Sequence, residues 1–143
     1  MTVVRQGEGR SVDLGVISMR MLAGGESTGS AFSLAEFSGE GDGLWTVPHL
    51  HRGFEESFFV LDGVFLFTIG DERVEATPGT YLLVPRGTTH GIEAAPGGGR
   101  FLTLMVPGGL EEMFFELGKL PENAIRDPAV RRAISDLYDS VPV

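Results

Sequence analysis

Three histidines and one glutamate are spaced so that a single ion could reach all four. His49 and His51 stand two residues apart, so on a strand their side chains share a face. If Arg52-Gly53-Phe54-Glu55 turns into the next strand, His51 faces Glu56 across an antiparallel pair. Directly opposed β-carbons lie about 4.5–5.5 Å apart, close enough for one ion to bridge both side chains. His90 follows the turn-like Pro85-Arg86-Gly87-Thr88-Thr89 and opens another strand. It reaches the same ion if the sheet closes into a barrel. The chain has no cysteine, so any metal must be held by nitrogen and oxygen. Three imidazoles and a carboxylate suit one divalent transition ion: Fe, Mn, Ni, Co, Cu or Zn. On an octahedral ion such a set leaves open positions, which a catalytic site needs and a thiolate-rich structural zinc site lacks.

The elements that must position these residues are short. Glycine, 21 of 143 residues, falls between brief apolar runs, and the spacing predicts strands over Val12–Leu22, Ala31–Phe37, Leu44–His51, Glu56–Leu61, Val64–Ile69, Thr80–Pro85, Gly91–Ala94 and Arg100–Val106. Regular short strands indicate a sandwich or barrel. Asp62-Gly63 is a two-residue hairpin signal. With that turn, Phe58 opposes Phe67 and Val60 opposes Phe65, so Glu56, Phe58, Val60, Phe65 and Phe67 look one way. These residues are either the apolar wall of a substrate pocket or plain barrel filling. Glu36 and Tyr81 also lie on predicted strands; structural roles are expected for both.

After Pro107 the character changes. Leu110, Met113, Phe114 and Leu117 recur at helical spacing, with Gly118 placed to cap the end. A second helix starts at Asp127-Pro128, aspartate as N-cap and proline in the first turn, with Val130, Ile134, Leu137 and Tyr138 as its apolar face. The expectation is one domain: a barrel over residues 1–107 and a helical extension over 108–143, packed on the barrel or at a subunit contact. The second face of the hairpin, Phe59, Leu61, Val64 and Leu66, is apolar as well. It needs cover from those helices or from a second copy, and a homodimer is expected.

Charge narrows the partners. Eleven basic residues against 20 acidic ones give a net charge of −9, which repels phosphate backbones and anionic membranes. A small molecule, rather than nucleic acid or lipid, is the expected partner. The apolar runs are too short to span a bilayer and the N-terminus reads as no signal region, so a cytoplasmic location is expected.

Two motifs resemble those of the cupin superfamily. The first, G-x5-H-x-H-x4-E-x6-G, is met at Gly43, His49, His51, Glu56 and Gly63. The second, G-x5-P-x-G-x2-H-x3-N, is met at Gly79, Pro85, Gly87 and His90, with Ala94 in place of the final asparagine. The resemblance implies an all-β double-stranded β-helix, a jelly-roll barrel, here followed by two α-helices. It also implies metal ligation by His49, His51, Glu56 and His90. Glu56-Ser-Phe-Phe-Val-Leu-Asp-Gly63 and the stretch from Val106 to Gly118 are similar to bacterial cupins related to quercetin 2,3-dioxygenase. What this implies is a metal-dependent dioxygenase acting on a phenolic or enolisable substrate, with Glu56 as both ligand and base. A non-oxidative Lewis-acid isomerase, dehydratase or cyclase, and a ligand-binding cupin without turnover, are the alternatives.

Overall fold

Alternating apolar residues interrupted by glycine make strands that bend rather than run straight. In the computed structural model, which describes Met1–Val143, the elements are β1 (Ser11–Asp13), β2 (Ser18–Ala23), α1 (Gly25–Thr28), β3 (Ser33–Gly39), β4 (Gly43–Leu50), β5 (Glu55–Ile69), β6 (Glu72–Ala76), β7 (Tyr81–Val84), β8 (His90–Val106), α2 (Glu111–Gly118), α3 (Glu122–Ile125), α4 (Pro128–Asp136) and β9 (Val141–Pro142). All pairings are antiparallel. The long strands β5 and β8 organise them. The first half of β5 pairs with β7 and with the second half of β8; its second half pairs with β6 and the first half of β8. β3 flanks the second half of β8 and β4 the first half. Each long strand thus passes from one sheet, β1-β2-β3-β8-β5-β7, into another, β9-β4-β8-β5-β6. The result is the expected jelly roll.

The corner between the sheets corrects the expected hairpin. Asp62-Gly63 is not a turn but lies inside continuous β5, at register shifts between Val60 and Asp62 and between Gly63 and Phe65. The left-handed glycine that would serve a two-residue turn serves a bulge instead: Gly63 has φ 78°. A Cβ there would strike the Gly98 carbonyl oxygen. Phe58 and Phe67 are therefore not ladder partners; Phe58 pairs with Leu82 and Thr103, Phe67 with Val74 and Ile92. The bulge changes the phase of the strand, so Phe58 and Val60 before it and Phe65 and Phe67 after it all point inward. β8 changes phase in the same place: Ile92 and Ala94 face in before the Gly-rich corner, Phe101, Thr103 and Met105 after it.

Two other expectations are adjusted, and one strand was not foreseen. Val12–Leu22 splits into β1 and β2, a hairpin closed by the Leu14 N–H bonded to the Ile17 carbonyl at 2.9 Å. Gly70 and Asp71 make the two-residue turn that leads into β6, a strand hidden in a charged stretch. α2 ends on Gly118 with Lys119 as cap at φ −77°, so no left-handed glycine closes it.

The two sheets meet through rings. Phe65 and Phe101 lie edge to face with centroids 5.1 Å apart, Phe58 and Phe67 are also at 5.1 Å, and Trp45 sits 5.0 Å from Phe65. Burying each such ring is worth roughly 2–3 kcal/mol, and edge-to-face pairing adds about 1 kcal/mol. This cluster fills the barrel at one end and leaves the other open.

The C-terminal segment lies over the open end. α2 packs on β1 and α4, and α4 on β9, which in turn pairs with β4 at His49 and Leu50. Asp127 caps α4 as expected, its carboxylate accepting from the Ala129 N–H at 2.9 Å with Pro128 in the first turn. Val130, Ile134 and Tyr138 are half-buried. Leu137, expected on the same face, caps α4 and is 80% exposed. No helix is long and apolar enough to cross a membrane.

Candidate metal centre

His49 lies near the end of β4 and pairs across the ladder with His90, the first residue of β8. His51 stands just beyond β4 and Glu56 is the second residue of β5. The expected ladder pair of His51 and Glu56 does not form. β4 pairs with β8 and β9, while Glu56 pairs with Val84 and Met105. The turn after β4 crosses from one sheet to the other, so His51 meets Glu56 across the barrel mouth. Their separation still suits an ion: Glu56 Oε2 is 3.5 Å from His51 Nε2 and 3.1 Å from His90 Nε2. One donor atom from each of His49, His51, Glu56 and His90 lies within 4.8 Å of all the others.

Each imidazole is oriented by a backbone carbonyl. Nδ1 of His49 bonds the Val47 carbonyl at 2.7 Å, that of His51 the Asp139 carbonyl at 2.8 Å, and that of His90 the Thr88 carbonyl at 3.1 Å. A carbonyl can only accept, so each Nδ1 carries the proton and donates it. In the neutral ring Nε2 is then left with a lone pair directed at the centre. His51 Nε2 is buried with no hydrogen-bond partner. His90 Nε2 and the Glu56 carboxylate lie 3.1 Å apart, a separation satisfied by a proton on the ring or by a cation that takes a lone pair from each. The residues present therefore fit a divalent metal ion.

Electrostatics follow from the same contacts. Burial, then the neighbouring His90, lowers the His49 pKa to about 4, so its ring is neutral at pH 7. Burial works against protonation of His51, but the adjoining Glu56 carboxylate outweighs it and raises the pKa. Burial would raise Glu56; the His51 and His90 rings beside it prevail and hold it well below the usual carboxylate range.

The four residues form the floor of a cavity of about 590 Å³, a volume suited to a small organic ligand. Its walls are mostly apolar, with Trp45, Phe37, Phe58, Phe101 and Phe114 among them. Of the expected pocket residues, only Phe58 lines it. Val60, Phe65 and Phe67 are wholly buried, at 0% exposure, and belong to the barrel filling. Val60 before the β5 bulge and Phe65 and Phe67 after it face inward, but they pack in the filled end of the barrel. Glu36 faces outward, bound to Arg20 at 3.3 Å, and Tyr81 is 62% exposed, so neither reaches the cavity.

Several contributors carry no local sequence signal. The side chain of Asp139 accepts from the N–H groups of Arg52 at 3.1 Å and Gly53 at 2.6 Å, fixing the turn that carries His51. Thr46 and Thr103 contribute buried hydroxyls without a partner. Arg126, Arg131 and Arg132 line the mouth. As charges they are plain in the sequence; their orientation depends on where α4 docks.

Residues 38–107 match the family of the cupin domain. Quercetin 2,3-dioxygenase of Bacillus subtilis is 28% identical over 134 residues, which is 94% of this chain and 40% of that protein. Quercetin 2,3-dioxygenase of Aspergillus japonicus is also 28% identical, over 85% of this chain and 36% of that protein. The chain thus spans well under half the length of both relatives. Among solved structures, KdgF from Halomonas sp. superposes with a TM-score of 0.69 at 18% identity, covering 78% of this chain and 98% of that one, a likeness of fold. By barrel topology, motif spacing and matched residues, this chain carries a cupin domain over 38–107 and resembles the quercetin 2,3-dioxygenases.

Proposed function

We propose that the protein is a metal-dependent enzyme of quercetinase-like dioxygenase type, acting on a small phenolic or enolisable substrate. One observation carries the reading: three carbonyl-oriented imidazoles and a buried carboxylate converge on the floor of an otherwise apolar cavity. The likeness to two quercetin 2,3-dioxygenases supports the choice of substrate class and of oxygen chemistry. A divalent transition ion, which His49, His51, Glu56 and His90 would hold, would supply Lewis acidity and, if redox-active, the capacity for oxygen chemistry.

The chain's own residues do the rest. The apolar walls exclude water and stack on a flat substrate. Glu56 is ionised at neutral pH and is the carboxylate on the cavity floor, so it is the group placed to take the substrate's proton. The three Nδ1–H donors hold the imidazoles in place.

The reading includes a homodimer. Phe59, Tyr81 and Leu83 remain exposed on the outer face of β5 and β7, and the C-terminal helices cover the barrel mouth rather than this face. A second copy is the proposed cover.

The test is metal analysis of untagged protein, followed by oxygen-electrode assays with a flavonol, a catechol and a β-diketone. Stoichiometric transition metal and oxygen uptake with one of these is the expected result. Turnover without oxygen uptake, retained with zinc under anaerobic conditions, would replace the dioxygenase by a non-oxidative isomerase or dehydratase.

A further inference from the structure

Arg131 and Arg132 belong to α4, and both line the cavity whose floor is His49, His51, Glu56 and His90. Arg126, just ahead of the helix, lines it too. The chain carries 20 acidic residues against 11 basic ones, yet Glu56 is the sole carboxylate on this lining. The cavity mouth therefore reverses the charge of the molecule that surrounds it. Arg126 is paired with Glu122. Arg131 and Arg132 pair with no carboxylate; Arg5, Arg52 and Arg86 are unpaired as well, but only Arg131 and Arg132 combine that with a place on the cavity lining. An unpaired guanidinium offers a planar fork of donors that matches carboxylate and phosphate oxygens.

Deeper in the same cavity, Thr103 is 2% exposed and its hydroxyl has no partner. The Thr46 hydroxyl is likewise buried and unpaired. Both residues line the cavity, and buried hydroxyls call for a hydrogen-bonding partner. A ligand oxygen reaching past the aromatic walls would supply one.

We propose that the cavity takes an anionic substrate: an oxyanion, carboxylate or phosphate, docked on Arg131 and Arg132, an aromatic or other flat apolar body between the walls, and oxygen functions directed to Thr103 and the metal floor. Arg131 and Arg132 are specificity-determining residues that act on binding and not on the metal. Placing the reactive end at the floor rests on the proposed metal centre; the anion docking is read separately.

The experiment titrates the metal-loaded native protein with cinnamate, phenyl phosphate and neutral cinnamamide, following fluorescence of Trp45, the single tryptophan and a cavity residue. The expected result is that a charged probe binds at least about tenfold more tightly than cinnamamide. Preference for cinnamate marks a carboxylate substrate, and preference for phenyl phosphate marks a phosphate. In the double variant Arg131→Gln, Arg132→Gln the preference should shrink to about twofold or less, with cinnamamide binding and metal content unchanged. Both positions are exposed on a helix, and glutamine keeps helix propensity. Equal binding of charged and neutral probes, no charged probe bound at millimolar concentration, or a preference surviving in the double variant would each overturn the proposal. Metal analysis of the same samples separates this failure from that of the proposed enzyme: native protein that takes up no metal sinks the latter whatever the anion preference.

Discussion

The backbone carbonyl of Asp139 accepts a hydrogen bond from His51 Nδ1 at 2.8 Å, across 88 residues of chain. The same residue holds the turn after β4 through its side chain, and it does so at φ 57°, a left-handed conformation that aspartate tolerates better than most residues. The C-terminal tail thus orients one of the candidate metal ligands. Deleting residues 138–143 should leave the barrel folded and weaken metal binding by about 10–100-fold, the usual effect of losing such an orienting contact. Chelator competition measures the affinity and circular dichroism the fold. Native affinity in the truncated protein would show that the tail orients nothing.

Glu111 is 2% exposed, and its carboxylate accepts from the Gly25 N–H at 2.7 Å, the Ser33 hydroxyl at 2.6 Å and the Gly109 N–H at 2.9 Å. This ties α2 to β3 and to the loop holding α1. Glu111→Ala leaves the Gly25 N–H and the Ser33 hydroxyl without this acceptor in a buried place, while the Gly109 N–H keeps the Ser33 hydroxyl oxygen at 3.1 Å, and it should cost at least about 2 kcal/mol. Urea denaturation reads it; a change under about 0.5 kcal/mol would mean that the two donors find other partners.

Acid should weaken the metal-free protein through His49. Its folded pKa of about 4 lies below the ordinary value of 6.5, so between these the unfolded chain binds more protons and stability falls as pH drops from 6.5 toward 4. His51 acts in the opposite sense: with its pKa raised, its contribution is complete below 6.5 and is lost as pH rises through the folded value. Melting temperatures in the presence of chelator should therefore fall less steeply from pH 6.5 to 4 in His49→Asn than in the native protein. Parallel curves would rule out a buried neutral His49.

Glu56→Gln separates holding from proton transfer. Glutamine keeps the shape and one acceptor oxygen but loses the charge and the basicity. Turnover should drop far more than metal content. Unchanged turnover would remove Glu56 as the proton acceptor.

The types of the site residues were readable in the sequence; their partners were not. The two-residue spacing of His49 and His51 fixes a shared side of the chain, which is local geometry. It does not say that β4 pairs with β8 and β9 rather than with β5, because pairing depends on where the long strands bend. That bend rests on Gly63, whose left-handed backbone suits a turn and a bulge equally, and only the close approach of Gly98 and Gly99 selects the bulge. The inward facing of Phe65 and Phe67 was legible for the same reason that their depth was not: periodicity gives the side of a strand, not the distance along the barrel. Asp139 contributes to His51 through a backbone carbonyl, an atom every residue has, so no sequence feature marks it. α4 was legible from Asp127-Pro128, but the cavity it covers with Arg131 and Arg132 was not, since docking is set by packing of half-buried residues such as Ile134 and Tyr138 against the barrel.

Elemental analysis of untagged native protein beside His51→Ala, grown and purified in parallel, reads the metal centre most directly. The proposed ligand set predicts stoichiometric transition metal in the native protein and only residual metal in the variant, with the barrel's circular dichroism retained. Full metal retention by folded His51→Ala, or a native protein that takes up no metal when it is supplied, would contradict it.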